Sequence, residues 1–373
     1  MLFSRVGDVR CGVLTQNEVT ISPNIIATEL KGENYSSYFL SVFFNSKYGL
    51  LQIMRSVKTV AQPTISTDTV RNLKLPEISK QFQNECERLL LSAFEMEIKS
   101  CNLYQKAEDL LLSELGLKDW KPTEESIAVK SFSESFLSSG RLDAEYYQPK
   151  YDQLYQSLKT ATLRNGWQLK KLSELSSLFK YGVSDSLEYI EEGVPFLRIA
   201  DLNKHRFSQE NLKFISNESA KKYKETVRQG DVIISRSGTL GIAVVIPEFL
   251  TNAVYGSYFI LTRPKKELVL PTYLALYLNS LAGKMQTEQS NTGGIQTNLT
   301  IPVLESLVIA CPSLESQQKF VNKVHDSYNA EEKSKQLLEV AKIGVEKAIE
   351  TDEETATAWI NQQLESLGVK LIR

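Results

Sequence analysis

The sequence predicts an α+β protein, with a mixed or antiparallel sheet in its globular parts and two long helices that pair as an antiparallel coiled coil. Short runs rich in Val, Ile and Phe, bounded by glycine, are typical of strands. Two proline-free stretches of roughly 35 residues have helical spacing. The same order of segments also occurs twice, which predicts a duplicated unit.

The strands and shorter helices are clearest in the second copy. Strands are predicted within 230–238 (GDVIISRSG), 242–246 (IAVVI) and 257–262 (SYFILT), because β-branched and aromatic residues dominate them. Leucines at helical spacing predict a helix over 271–287. A polar loop, NTGGIQTNLT, follows, and then a strand in VLESLVIACP.

The duplication is indicated by short matches, most of them at a nearly constant offset, against an alternative of convergent turn–strand–helix patterns. Two tripeptides recur, Gly7-Asp8-Val9 as Gly230-Asp231-Val232 and Phe44-Asn45-Ser46 as Leu278-Asn279-Ser280. The single-residue matches are Tyr38 with Tyr273, Gln62 with Gln296 and Pro76 with Pro312, at offsets of 235, 234 and 236. The first copy has no counterpart of 141–229.

The long helices are predicted from heptad seams. The first seam comprises Phe82, Cys86, Leu89, Ala93, Met96, Ser100, Leu103, Ala107 and Leu110. The second comprises Phe320, Val324, Leu338, Ala341, Val345 and Ala348, with the polar Glu331 and Ser334 also on it. Each helix would be about 50 Å long at 1.5 Å per residue. The alternative is that each helix packs only on its own domain.

These elements divide the chain into five segments. Residues 1–76 form a first globular part, 77–120 the first long helix, 121–312 a second and more complete globular part, 313–350 the second long helix, and 351–373 a C-terminal tail.

Composition narrows the functional classes. The chain has 373 residues and a net charge of −2, which argues against a non-specific nucleic-acid binder. Its four cysteines lack C-x-x-C spacing, so we expect reduced thiols and a cytoplasmic protein, with no membrane segment. With two histidines, no phosphate loop and no dinucleotide turn, we expect no metal site and no catalytic residues in this chain.

Several segments, in their order and spacing, resemble the specificity (S) subunit of type I restriction–modification systems. They are LGLKDWKP (115–122), GRLDAEYYQPKYDQL (140–154), WQLKKLSELSSLFKYGVSD (167–185), GVPFLRIADL (193–202), GDVIISRSGTLG (230–241) and QTNLTIPVLESLVIACPSLESQQKFV (296–321). The resemblance implies two target-recognition domains held apart by two antiparallel helices, each domain reading half of a split DNA site. Residues 1–76 would be a partial first domain, and 121–312 the second.

The resemblance also implies partners and cofactors. The partners would be double-stranded DNA, methyltransferase (modification) subunits, a motor-nuclease (restriction) subunit and a second copy of the chain, with no membrane. This chain would bind no cofactor, since S-adenosylmethionine, ATP and Mg belong to the partner subunits. The alternative is a coiled-coil scaffold or half-subunit that acts only as a dimer or has lost DNA recognition.

Polar and basic side chains on loops beside the sheet are the candidates for DNA contact. They are Lys180, Tyr181, Ser184, Lys204, Arg206, Lys221, Lys222, Arg236, Ser237, Thr239, Asn291, Thr292, Gln296 and Asn298. Alternatively, Asn298 caps a turn, Arg236 is a structural ion-pair partner, and the lysines near 221 form a solvated face. The candidates for contact with partner subunits are Phe82, Leu89, Met96, Leu103, Leu110, Phe320, Val324, Leu338 and Val345.

Overall fold

A computed structural model describes residues 1–7, 9–15, 18–57, 64–122, 127–210, 212–223, 225–290 and 298–372. The helices are α1 Ser37–Asn45, α2 Lys47–Ser56, α3 Thr67–Arg71, α4 Lys80–Glu114, α5 Phe136–Ser139, α6 Pro149–Asn165, α7 Leu172–Leu175, α8 Asn217–Ala220, α9 Pro271–Asn279, α10 Leu281–Ser290, α11 Ile301–Ser306, α12 Leu314–Glu350 and α13 Glu353–Leu367. The strands are β1 Leu2–Ser4, β2 Cys11–Gly12, β3 Ile25–Ala27, β4 Gln168–Lys171, β5 Ser176–Tyr181, β6 Val194–Leu197, β7 Leu202–Asn203, β8 Arg206–Phe207, β9 Lys213–Ile215, β10 Val232–Ser235, β11 Ala243–Val245, β12 Val254–Tyr255, β13 Phe259–Pro264 and β14 Val308–Cys311.

The chain divides into two compact units. Unit 1 comprises Met1–Asn102 and Asp326–Arg373, and unit 2 comprises Leu103–His325. Both long helices therefore contribute one part to each unit, whereas we had expected them to lie outside the globular parts. Among the described residues, no helix combines the length and the apolar character needed to cross a bilayer.

Unit 1 is built on an antiparallel sheet of order β2-β1-β3. Phe3 is the central residue of this sheet, where it pairs with Cys11 on one side and Ile26 on the other. Its ring meets that of Phe44 edge-on at 5.2 Å. Phe44 belongs to α1, a helix whose mostly apolar residues are buried along most of its length. Sheet and helix therefore share one core.

The unit 1 parts of the long helices run antiparallel. The Ser100 and Ser327 hydroxyl oxygens lie 3.2 Å apart, and the Ser334 hydroxyl donates to the Ala93 carbonyl at 2.7 Å. Since residue numbers rise along α4 as they fall along α12, the pairing is antiparallel. The predicted fold class, α+β with a mixed or antiparallel sheet and two long paired helices, is confirmed.

One detail of the seams differs from the prediction. Leu337 is fully buried and Leu338 only half-buried, so the second seam passes through Leu337. The spacing explains this shift, because Ser334, Leu337 and Ala341 follow heptad steps of three and four. The polar seam position Ser334 is tolerated because its hydroxyl has a backbone acceptor.

The C-terminal segment is not a tail apart from the fold. Asp352 caps α13 by accepting a hydrogen bond from Thr355 N at 2.7 Å. The buried face of α13 consists of Ala356, Ile360 and Leu364, which belong to the unit 1 core. Their spacing of four residues is helical and amphipathic, a signal that the polar composition of the segment concealed.

Unit 2 contains an antiparallel sheet of order β11-β10-β13-β5 and a mixed sheet of order β12-β6-β9. Strands β12 and β6 are parallel, whereas β6 and β9 are antiparallel. Central strand β10 is buried along its whole length, as its sequence Val-Ile-Ile-Ser predicts. The helix predicted over 271–287 is present as α9 and α10, which are separated at Ser280.

Side-chain amides that bind backbone groups show that the two units repeat one design. Asn279 donates to the Ala243 carbonyl at 2.8 Å and accepts from Ala243 N at 2.9 Å. Asn45 makes the same pair of bonds with Cys11, at 2.6 and 3.3 Å. The predicted match of Asn45 with Asn279 is therefore a structural equivalence, at an offset of 234 residues.

Two glutamine pairs extend this equivalence. Gln317 accepts from Leu270 N and donates to the carbonyls of Leu268 and Pro312. Gln83 forms the corresponding three bonds with Ser36, Asn34 and Ile78, each shifted by 234 residues. Gln286 binds both backbone groups of Val308, and Gln52 binds both of Lys74, again with shifts of 234.

This constant spacing corrects some sequence matches. Phe39 corresponds to Tyr273 and Ile78 to Pro312, so the matches of Tyr38 with Tyr273 and of Pro76 with Pro312 were wrong by one and two residues. Gln62 and Gln296 lie outside the described residues.

The match of Gly7 with Gly230 is also wrong. Arg236 N donates to the Tyr258 carbonyl at 2.8 Å, and the Arg236 carbonyl accepts from Leu299 N at 3.0 Å. Arg5 makes the equivalent bonds with Asn24 and Ile65, at 2.7 and 3.0 Å. Phe3-Ser4-Arg5 thus corresponds to Ile234-Ser235-Arg236. Gly7 lies after β1 as Gly238 lies after β10, and their φ angles are +80° and +76°. Gly230, in contrast, lies before β10.

Candidate nucleic-acid interface

The turn after β10 is held in shape by Ser235, which is fully buried. Its hydroxyl donates to the Thr239 carbonyl at 2.5 Å and accepts from Ile242 N at 2.9 Å. Gly238 has φ of +76°, a conformation that residues with a Cβ adopt only with strain. The turn therefore presents Gly238 and Thr239, both exposed, in a fixed position.

Arg236 begins this turn, and its side chain lies over an aromatic ring. The guanidinium carbon is 4.6 Å from the centre of the Tyr181 ring, which is within the range of a cation–π contact. Its Nε is buried and has no hydrogen-bond partner. The side chain is thus oriented by stacking, and its buried Nε is left without a partner.

Tyr181 and Asn298 complete a cluster around Arg236. The Tyr181 hydroxyl accepts a hydrogen bond from Ile301 N at 3.0 Å. Ser237, next to Arg236, donates its hydroxyl hydrogen to Asn298 Oδ1. We call these four residues, Tyr181, Arg236, Ser237 and Asn298, the arginine cluster. The structure therefore brings together candidates from three separate loops, while Asn291, Thr292 and Gln296 lie outside the described residues.

An open cleft of about 460 Å³ lies beside the arginine cluster. Ser184 and Ser237, both predicted, contribute to its lining. Its aromatic residues include Tyr189 and Tyr258, whose side chains are 44% and 59% exposed. Exposed aromatic rings beside a groove can stack on bases or pack on sugars.

Sequence reasoning missed Tyr189, Arg198 and Tyr258 in this lining. Arg198 forms an ion pair with the buried Asp201, and its backbone N–H donates to the same carboxylate at 2.8 Å. The Arg-x-x-Asp spacing in RIAD was an available signal for this local structure. Asp201 largely balances the charge of Arg198. Arg198 is therefore better suited to positioning neighbouring groups than to contacting a phosphate.

Lys180 and Lys222 both line a second, smaller cleft of about 230 Å³. Tyr223 lies between the two clefts and donates its hydroxyl hydrogen to Asp185 Oδ2 at 2.7 Å. That bond to a carboxylate, together with burial, raises the pKa of Tyr223 to about 12, so the phenol stays protonated. Lys221 and Lys222 are exposed. Contact with phosphates requires this exposure, and the alternative of a solvated face predicts it equally.

Lys204 and Arg206 occupy a different place. They flank His205 in the β7–β8 hairpin, and the His205 ring stacks on Tyr104 of α4 at 4.4 Å, with 9° between the planes. Burial, with Lys284 and Lys204 nearby, lowers the pKa of His205 to about 4, so the ring is neutral at pH 7. Neither Lys204 nor Arg206 lines either cleft, and their predicted phosphate contacts remain predictions.

Five of the nine candidates for contact with partner subunits are buried within this chain. Phe82, Leu89, Phe320, Val324 and Val345 are all at most 3% exposed. Met96, Leu103, Leu110 and Leu338 are half-buried. The reason is that the apolar seams pack within the chain, so the five buried side chains cannot meet a partner. Only the outward faces of the helices, such as that carrying Ile98 at 61% exposed, are accessible for such contacts.

Within the part of the chain that the structure describes, no three His, Cys, Asp or Glu residues gather as a metal-binding group. The two clefts hold tyrosines, serines and basic side chains, which suit binding by hydrogen bonds and stacking.

Comparison with known proteins identifies the class to which this interface belongs. Residues 164–342 match the family described as the type I restriction modification DNA specificity domain. Residues 164–342 are therefore similar to a DNA specificity domain of type I restriction–modification systems, in agreement with the resemblance found in the sequence.

One curated relative and two solved structures are similar to this chain. The type I restriction enzyme EcoBI specificity subunit of Escherichia coli is 24% identical over 149 residues, which is 40% of this chain and 31% of the relative. The match thus spans about a third of the length of that curated relative.

Two solved structures are also similar to this chain. The HsdS subunit from Thermoanaerobacter tengcongensis has 18% identity and a TM-score of 0.35, covering 85% of this chain and 70% of that chain. The type I restriction–modification S subunit from M. genitalium has 14% identity and a TM-score of 0.37, covering 91% and 74%.

Proposed function

We propose that this chain is the DNA sequence-recognition subunit of a type I restriction–modification complex. The observation that carries this proposal is that the matched DNA specificity domain contains the arginine cluster. An arginine that is oriented by an aromatic ring is suited to the paired acceptors of guanine in the major groove. Asn298 and the exposed turn around Gly238 add polar groups beside it.

The duplication supports recognition of a site in two parts. Arg5 is exposed and has the same backbone partners in unit 1 as Arg236 has in unit 2. We propose that each unit contributes one reading loop, so that the recognised site consists of two short sequences around an unread gap.

The chemistry is proposed to belong to partner subunits. Methyltransferase subunits would dock on the outward faces of the paired helices and bring S-adenosylmethionine. A motor-nuclease subunit would bring ATP and Mg, and this chain would be non-catalytic. The alternative of a scaffold without DNA recognition is not favoured, because the specificity-domain match covers the cluster itself.

The test is to assemble the chain with its modification subunits and to map methylated sites by sequencing. An Arg236→Ala variant should lose discrimination at one base position by about 1–3 kcal/mol, or roughly 5- to 150-fold. Arg228→Ala, which removes an exposed arginine lining neither cleft, is the matched control and should leave the sequence preference intact. Equal loss of binding to every sequence in the Arg236→Ala complex would refute base reading by Arg236.

A further inference from the structure

The segment that follows β5 leads directly into the larger cleft of unit 2. Val183 N donates to the Tyr255 carbonyl at 2.9 Å. A Cβ at Gly182 would overlap the carbonyl group of Gly256, so the two backbones can pass this closely only because residue 182 is a glycine. These contacts fix the backbone just before Asp185, whose side chain contributes to the lining of the cleft.

Asp185 has an exposed carboxylate that is oriented by a neutral group. Its Oδ2 accepts a hydrogen bond from the Tyr223 hydroxyl at 2.7 Å. Among the described residues, its Oδ1 accepts no hydrogen bond and no lysine or arginine forms an ion pair with the group. Asp201, by contrast, is paired with Arg198. Asp185 therefore presents a fixed negative charge, without a compensating cation, to a ligand in the cleft.

A free carboxylate is unfavourable in a surface that contacts DNA, unless it contacts a base. It repels phosphate groups, so it weakens a complex in which it has no partner. The repulsion is offset where the carboxylate accepts a hydrogen bond from a base edge, and the N4 amino group of cytosine is such a donor in the major groove. Adenine also presents an amino group there, but its neighbouring N7 is an acceptor, which repels a carboxylate. Cytosine is therefore the base that matches Asp185.

We propose that Asp185 accepts a hydrogen bond from the N4 amino group of a cytosine in the recognised DNA sequence, and that Tyr223 is a positioning residue that orients the carboxylate. This inference rests on the proposed function, because the cytosine belongs to the DNA site that the chain would read. Ser237 of the arginine cluster lines the same cleft as Asp185. The cytosine contact therefore lies beside the guanine contact proposed for Arg236, and together they select G·C pairs in the part of the site that unit 2 reads.

The experiment uses the full chain assembled with its modification subunits. Methylated sites are mapped by sequencing, and binding is measured on duplexes in which one base pair at a time is changed. Asp185→Ala should reduce discrimination at one cytosine position by about 5- to 150-fold and leave the other positions unchanged. Asp185→Asn should move the preference at that position from cytosine to adenine, because an amide pairs with N6 and N7 of adenine. Tyr223→Phe should reduce discrimination at the same position by about two- to tenfold, without changing the preferred base.

Glu188→Ala is the matched control, because it removes an exposed carboxylate from the same segment that lines neither cleft, and it should leave the sequence preference intact. Thermal unfolding of each variant checks that unit 2 remains folded. An unchanged preference in the Asp185→Ala complex overturns this inference and leaves the proposed function standing. Uniformly tighter binding of that complex to every sequence also overturns it, since Asp185 then acts only by repelling phosphates. An unchanged chain whose complex methylates no defined sequence overturns both.

Discussion

Arg236 directly follows β10 and Tyr181 ends β5, two strands of one sheet that are separated by β13, yet the guanidinium carbon of Arg236 lies 4.6 Å from the ring centre of Tyr181. The Tyr181 hydroxyl is in turn bonded to the first residue of α11. The arginine is therefore oriented before any ligand arrives, which reduces the entropy that binding must overcome.

Removal of the aromatic support should impair DNA binding without removing the charge. Tyr181→Leu deletes the ring, and a cation–π contact of this kind contributes about 0.5–2 kcal/mol. We expect roughly 2- to 30-fold weaker binding to the recognised sequence, measured on the assembled complex. Tyr181→Phe is the control, because it keeps the ring and loses only the hydroxyl; losses of equal size in the two variants would show that the ring is not the support.

The amide of Asn279 should be a strong determinant of unit 2 stability. Asn279→Ala leaves both backbone groups of Ala243 without their partner, at a cost of about 2–4 kcal/mol in the free energy of unfolding. Urea unfolding measures this loss, and a Trp359→Phe background leaves Trp120 and Trp167 of unit 2 as the reporters. Asn217→Ala, at an exposed site in the same unit, should change little. Similar losses for both variants would contradict the role assigned to the amide.

The serine pair between α4 and α12 should be energetically coupled. The Ser327 hydroxyl donates to the Ser100 carbonyl at 2.8 Å and lies 3.2 Å from its hydroxyl, at a buried site. A double-mutant cycle with Ser100→Ala and Ser327→Ala should give a coupling free energy of about 0.5–1.5 kcal/mol. The double variant should be closer to the unchanged chain than the sum of the single losses implies. Strict additivity would mean that the hydroxyl groups do not act on one another.

His205 should make the stability of unit 2 sensitive to acid. Its pKa in the folded chain is about 4, below the usual value of about 6.5. Between these values the unfolded chain binds more protons than the folded chain, so stability falls as the pH decreases through this window. We expect a loss of about 1–2 kcal/mol on going from pH 7 to pH 5.

His205→Phe provides the matched comparison for this pH dependence, because phenylalanine can keep the stacking on Tyr104 and cannot titrate. Its unfolding free energy should change less than that of the unchanged chain between pH 7 and pH 5. Parallel pH curves for the two proteins would rule out His205 as the source.

The sequence predicted those features that have a strong local signal. The heptad spacing identified both long helices, and the match of Asn45 with Asn279 identified a true equivalence. The tripeptide match at Gly7 misled because three residues are too few to fix a register, whereas the hydrogen bonds of Arg5 and Arg236 depend on residues distant in sequence. The buried face of α13 was missed because it contributes only a few apolar residues among many polar ones.

The candidate site was predicted in part for a similar reason. Lys180 and Tyr181 lie at the end of β5, and Arg236, Ser237 and Asn298 lie outside the strands, in segments that polar composition marks as ligand-facing. The convergence of these side chains depends on strand order, and so does the contribution of Tyr189 and Tyr258 to the cleft. That order brings together residues that lie far apart in the chain, and no local pattern encodes it.

The equal spacing of the buried amides has a genetic consequence. From Asn24 to Gln83, every matched position in unit 2 lies 234 residues further along the chain. A crossover between the two coding segments at matched codons within this range would therefore keep these amides in register with their backbone partners there, while it exchanged the loops between them. Such an exchange would alter the ligand-facing residues without disturbing that register.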